Sequence, residues 1–432
     1  MTSEQRSWCF YDVANSVFAT SAITLFLPRY VGSLAMAAAD PAGFVHPLGT
    51  PIFAASFWPY LVGLSVFLQV LVLPVIGAVA DFSRKKKECL AATALVGSTA
   101  AMSMFFLQGS DYLLAAGLFI VANVSFGASI VVYNSFLPEL AAPEERDALS
   151  SRGWAMGYAG GCAMLLVHLM LLTYREALGL SASMAVRIAL CSTGVWWILW
   201  TIPVLRAVKN RGEAHRLPPG QSVVGVAFGQ LGHTLQDVRR YPNTMKFLLA
   251  YLLYNDAIQT VLIVSAEFGA HELGLSDSQL TITILISQVV GVGGALFFNQ
   301  VARRLTPKRA VILTLIVWIG LLFYAYGFVH NATEFYIMGA FAGLVMGGSQ
   351  ALSRSIFAQL VPHGMEAEYF SIYEVGDKGT SWLGPPAFGL ALQMTGSYRV
   401  AILSLLTFFL AGLAVLTQAN VEQGVKDVAK NA

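Results

Sequence analysis

Apolar residues along this chain come in long continuous blocks, not in the strict alternation of a half-buried sheet. Twelve blocks stand out, at about 8–35, 57–80, 88–107, 112–137, 153–173, 184–204, 244–270, 278–302, 310–329, 334–360, 367–394 and 397–418. A hydrocarbon core of ~30 Å is crossed by about 20 helical residues, so each block is long enough to span a bilayer once. Lipid offers no partner to a free backbone N–H or C=O, which restricts such blocks to helices. The pattern predicts an all-α integral membrane protein. The first block is too long for the apolar core of a cleaved signal and reads as the first span.

Composition agrees. Of 432 residues, 56% are hydrophobic and 12% charged, where soluble domains carry ~25% charged. A net charge of +2 leaves no basic footprint for nucleic acid. Cys9, Cys89, Cys162 and Cys191 fall in or beside apolar blocks without a CxxC or Cys/His cluster. Neither a disulfide framework nor a metal site is expected. Walker, GxSxG and HExxH motifs are absent, so the chain reads as neither an enzyme nor an ATP-driven pump, and no cofactor is implied.

An even number of spans puts both termini on one side. The loops on that side hold nineteen basic residues against four on the other. The positive-inside rule makes the termini cytoplasmic, and a bacterial inner membrane is the expected location. The longest hydrophilic stretch, 206–243, divides the spans six and six. The expected organisation is a six-helix bundle at 1–205, a cytoplasmic linker at 206–243, a second bundle at 244–418 and a tail at 419–432.

The two halves echo each other. Asp12, Asn15 and Ser16 in the first span match Asp256, Gln259 and Thr260 in the seventh, both acid-x-x-amide-hydroxyl and both on one helical face. YNSFLPEL at 133–140 aligns with SRSIFAQLVP at 353–362, and Trp154 and Gly157 with Tyr373 and Gly376. Two parallel six-helix repeats joined by a tether describe the major facilitator fold.

Gly77, Asp81 and the basic run beginning Arg84-Lys85 resemble the loop motif between helices two and three of the major facilitator superfamily. The resemblance implies a cytoplasmic gate at Gly77, Asp81, Arg84 and Lys85, although the superfamily has Gly-Arg where this chain has Arg84-Lys85. WCFYDVANSVFAT (8–20), FLPELAAPEERDALSSRGWAMGYAGG (136–161), GGSQALSRSIFAQLVP (347–362) and YEVGDKGTSWLGPP (373–386) resemble the unknown-major-facilitator branch. Its eukaryotic relatives are the autophagy-related vacuolar amino-acid effluxers. That branch more often has a small polar residue near Asp377. The likeness implies a secondary transporter of small polar solutes, with amino acids as the leading class.

Charges inside spans mark the candidate chemistry, since each costs ~2.5–3.5 kcal/mol at mid-depth. Glu374, Asp377 and Lys378 share an arc of about 120° on an ideal helix. Arg354 and Glu374 lie at similar depths, about 9–10 Å from the inner ends of their helices. The expectation is that Arg354 pairs with Glu374 or Asp377, either as a helix lock or as a proton-coupled network. Lys378, near the midplane, is the candidate for a substrate carboxylate, and Asp256 for a substrate amine or a proton. Asp12 is read as shallower, serving either substrate or inner gate. Tyr11, Asn15, Asn123, Tyr133, Asn134, Asn255, Gln259 and Gln350 complete the set of candidate binding residues. The expected partners are a small zwitterionic or anionic solute, the lipid bilayer and a coupling proton, with the protein a monomer. Two other readings stand beside this one: an exporter of larger amphipathic molecules, and a membrane receptor or scaffold that transports nothing.

Overall fold

A computed structural model describes residues 1–54, 57–83, 85–211, 241–362, 365–379 and 383–430. Its helices are α1 (Ser3–Ala38), α2 (Phe57–Ser83), α3 (Lys86–Ser103), α4 (Tyr112–Ser135), α5 (Pro143–Thr173) and α6 (Ala182–Ala207). The second half holds α7 (Pro242–His271), α8 (Asp277–Arg304), α9 (Pro307–Gly327), α10 (Ala332–Gln359), α11 (Glu366–Gly379 with Gly384–Thr395) and α12 (Tyr398–Gln418). A tail helix, α13 (Val421–Lys430), follows. Among the described residues, eleven helices are long and apolar enough to cross a membrane. The twelfth crossing is α11, built in two pieces, Glu366–Gly379 and Gly384–Thr395.

Local chemistry explains where these helices start. Thr2 and Gln5 close a capping box that begins α1 at Ser3, five residues before the apolar block. Ser276 and Gln279 do the same for α8. Pro143, Pro242 and Pro307 occupy first turns, where a missing N–H costs nothing. The second piece of α11 starts at Gly384 and likewise has proline in its first turn; residues 380–382, between the two pieces, lie outside the described residues. Over Phe18–Phe26, α1 widens to a π-helix, a form common at functional sites. A two-residue hairpin, Phe44–Val45 with Ile52–Phe53, lies in the α1–α2 connection, where the apolar pattern gave no strand.

In the first bundle α1 packs on α5 and α6, and α4 on α2 and α3. In the second, α8 and α9 pack on α10, and α7 on α12. The α8–α10 contact is backbone to backbone: a Cβ on Gly343 would stand 2.2 Å from the Ser287 carbonyl. The bundles meet where α5 lies against α8 and α10, and where the first piece of α11 lies against α2 and α4. Most of the expected 206–243 linker lies outside the described residues.

Candidate functional site

The sidedness of the chain puts the α2–α3, α4–α5 and α10–α11 connections on the face that carries the termini. Near that face the bundle interface is closed by polar contacts between the halves. Ser150 Oγ donates to the Ala351 carbonyl at 2.8 Å, Arg146 to the Ala358 carbonyl at 2.9 Å, and Ser355 to Asp147 at 2.5 Å. At the centre of this seam is Arg354 of α10. Its guanidinium donates to both oxygens of Asp12 on α1, at 3.2 and 3.1 Å. It also donates to the hydroxyl and the carbonyl of Ser150, each at 2.8 Å.

Aromatic rings surround the same group. The Arg354 guanidinium lies 5.0 Å from the Trp8 ring, 5.7 Å from Tyr133 and 5.4 Å from Trp154. Trp8 and Tyr133 stack at 4.4 Å. The Trp8 indole donates to the Tyr133 carbonyl at 2.9 Å, and the Tyr133 hydroxyl to Asp12 at 2.8 Å. Both Arg354 and Asp12 are buried. Among the described residues, Arg354 therefore pairs with Asp12 and not with Glu374; the Asp377 side chain lies outside them. Depth along the membrane normal had suggested those partners, but depth does not say which way a side chain faces. α10 turns Arg354 toward α1 and α5. Asp12 lies about 14 Å along α1 from Ser3.

Glu374 instead accepts from the Asn134 amide of α4 at 2.9 Å, another buried bond across the interface. A third cross-bundle cluster lies nearer the terminal face. Lys86 Nζ stands 3.2 Å from Asp81, 2.7 Å from Glu139 and 3.2 Å from Glu366. Asp81 also accepts the Ala367 amide at 3.2 Å. Gly77 lies beneath the start of α11, where a Cβ would stand 2.6 Å from the Ala367 carbonyl. Lys85, expected in this gate, is exposed instead. Helix α3 begins at Lys86, and its first turn aims that residue inward. Arg84 lies outside the described residues.

Asp256 presents the contrasting case. It is 1% exposed, and among the described residues neither carboxylate oxygen has a hydrogen-bond partner. It faces Gly384, at the start of the second piece of α11. A Cβ on Gly384 would stand 3.0 Å from Asp256 Oδ2 and 2.1 Å from Thr260 Oγ1. The Gly384 backbone comes close without forming a bond. A buried carboxylate left in this way carries an uncompensated desolvation cost when ionised.

Other candidates are dispersed. Gln350 donates to Asn255 at 2.7 Å within the second bundle. Asn123 donates to Ser65 at 2.8 Å, tying α4 to α2. Tyr11 is a core residue whose hydroxyl accepts from Trp197 at 3.3 Å. Asn15 is buried and Gln259 half-buried. Asp377 and Lys378 lie on the first piece of α11, with side chains outside the described residues. The sequence reading missed Trp8, Ser150, Gly153, Trp154, Lys86, Glu139 and Glu366. Trp8 and Trp154 carried a signal: tryptophans within a turn of Asp12 and beside Gly153, where aliphatic residues would pack as well.

A family model described as "Vacuole effluxer Atg22 like" matches residues 2–429. The chain is similar to the MFS-type transporter YxiO of Bacillus subtilis (strain 168), 28% identical over 99% of this chain and 98% of that one. It is similar to autophagy-related protein 22 of Eremothecium gossypii, 27% identical over 96% and 90% of the two chains. In fold it is similar to the proton:xylose symporter XylE, with TM-score 0.70, 13% identity and 96% and 94% coverage. It also resembles an outward-facing bacterial homologue of ferroportin, with TM-score 0.69, 14% identity and 97% and 99% coverage. These likenesses give two bundles of the major facilitator fold and a multi-pass membrane transporter, not an enzyme.

Proposed function

This chain belongs to the family of Atg22-like vacuole effluxers, and we propose that it moves a small polar solute by alternating access coupled to protons. The observation that supports this best is the buried Asp12–Arg354 pair, one partner from each bundle. A structural ion pair has no need to straddle the one interface that must open. Buried charges are also poor stabilisers beside apolar packing. Asn134–Glu374 and the Lys86 cluster straddle the same interface, so opening toward the terminal face breaks all three together. The bias of basic residues makes that face cytoplasmic, and on this reading the structure is closed to the cytoplasm.

Asp256 supports the coupling. Protonation removes the cost of a charge that has no hydrogen-bond partner among the described residues, and Asp256 lies beside Gly384, in the second piece of the helix whose first piece bears Glu374 and Lys378. Lys378 stands one turn beyond Glu374 and is the candidate for a solute carboxylate. The preferred solute is zwitterionic or anionic, with amino acids first.

The test is flux in liposomes holding the full chain, across a panel of amino acids, small organic anions and larger amphipathic compounds, with and without a pH gradient. Gradient-driven accumulation of a small polar solute, abolished by a protonophore, is expected. Flux indifferent to the gradient overturns the coupling. Flux confined to amphipathic compounds overturns the solute class, and no flux overturns transport.

A further inference from the structure

We infer that Trp8, Asp12, Tyr133, Ser150 and Trp154 form a binding site for an N–H-bearing organic cation, a primary ammonium or a guanidinium. Arg354 is the plug that occupies it while the terminal face is closed. The inference rests on the transport reading and adds the cationic pole of the solute to it.

The division of residues between bundles carries this. Among the described residues, every group that hydrogen-bonds the guanidinium or lays a ring against it belongs to the first bundle: Trp8 and Asp12 on α1, Tyr133 on α4, Ser150 and Trp154 on α5. Arg354 alone comes from the second. When the bundles part, the rings and the carboxylate stay together and the cation leaves.

The cage does not depend on Arg354 for its shape. Trp8 is fixed on the Tyr133 carbonyl at 2.9 Å and stacked on the Tyr133 ring at 4.4 Å. Tyr133 holds Asp12 Oδ2 at 2.8 Å. What remains is an acidic, ring-walled pocket whose groups facing the guanidinium are all acceptors: Asp12 Oδ1 and Oδ2, Ser150 Oγ and the Ser150 carbonyl. Three ring faces and a carboxylate favour a cation. Four acceptors favour one with several N–H donors over a quaternary ammonium, which has none. The Trp154 indole N–H is buried without a partner among the described residues, and it offers a donor to an oxygen on the same solute.

The site is tested on the full chain in lipid nanodiscs by isothermal titration with ethylguanidinium, propylammonium and tetramethylammonium. Arg354→Leu empties the cage. We expect it to bind ethylguanidinium at least about tenfold more tightly than the parent, with tetramethylammonium binding neither. Adding Trp154→Leu should abolish the gain. A second measurement leaves Arg354 in place: ethylguanidinium should inhibit solute flux from the terminal face, with an inhibition constant about tenfold higher in Trp154→Leu. Monodisperse Arg354→Leu without saturable ethylguanidinium binding overturns the site, as does equal inhibition of the parent and Trp154→Leu. If Arg354→Leu is not monodisperse, the inhibition measurement decides. If the parent carries no solute, the transport reading falls and the titration still decides the site.

Discussion

Gly153 lies directly against Asp12: a Cβ on this glycine would stand 2.3 Å from Asp12 Oδ2 and 3.0 Å from Arg354 Nη2. The carboxylate could turn away only by giving up Tyr133 or Arg354. Gly153→Ala is therefore expected to lower stability by about 1–3 kcal/mol, the usual range for overpacking. The measurement is thermal unfolding in detergent. An unchanged transition would mean that the pair is more loosely held than its distances imply.

Arg354 and Asp12 should behave as a coupled unit. Arg354→Leu leaves Asp12 buried beside apolar rings and is expected to cost about 3–5 kcal/mol. The double variant Asp12→Leu/Arg354→Leu removes both charges and should recover most of that loss. A double-mutant cycle on thermal stability reads the coupling. Additive losses would show that the two residues do not depend on each other.

Asp256 should respond in the opposite sense to Asp12. Replacing an unpartnered buried carboxylate by a neutral amide relieves desolvation, so Asp256→Asn is expected to stabilise the protein by about 1–3 kcal/mol. Asp12→Asn weakens a charge-assisted bond and should destabilise it. In liposomes, Asp256→Asn should lose accumulation driven by a pH gradient and keep solute exchange. Intact gradient-driven accumulation would remove Asp256 from the coupling.

Neighbouring lysines separate the gate from its loop. Lys86→Ala leaves Asp81, Glu139 and Glu366 facing one another without their shared cation, and should cost about 3–5 kcal/mol. Lys85→Ala removes an exposed charge and should stay within about 0.5 kcal/mol. Thermal unfolding of the two variants side by side is the check. Equal effects would argue against a gate centred on Lys86.

Twelve spans and their two-bundle arrangement were legible because lipid leaves so few solutions: long apolar blocks must be helices, and a central hydrophilic stretch divides them. The residues that carry chemistry were harder to assign. Composition alone marks Arg354 and Glu374 as unusual, and helical rise orders them by depth. Neither quantity says how α10 is rotated, so Asp12 went unrecognised as the partner of Arg354. Within the basic run 84–87, hydropathy cannot choose among residues. Helical phase at the start of α3 does, and it selects Lys86. Asp256 was visible as an acid inside a span, but its lack of a hydrogen-bond partner among the described residues is a property of the assembled bundle.

The first piece of α11 is shared between the bundles: its Tyr373 stacks on Tyr251 of α7 at 4.1 Å and on Phe357 of α10 at 4.8 Å. Glu366–Gly379 is held by Asp81, Lys86 and Asn134 of the first bundle, while Gly384 rests on Asp256 and Thr260 of the second. One helix thus spans the joint of the molecule the way a tendon spans a knuckle. When the terminal seam opens, the first piece must release Asp81, Lys86 and Asn134 while its rings keep Tyr251 and Phe357. On the coupling proposed above, a change of charge at Asp256 bears on Gly384, ten residues along the chain from Glu374.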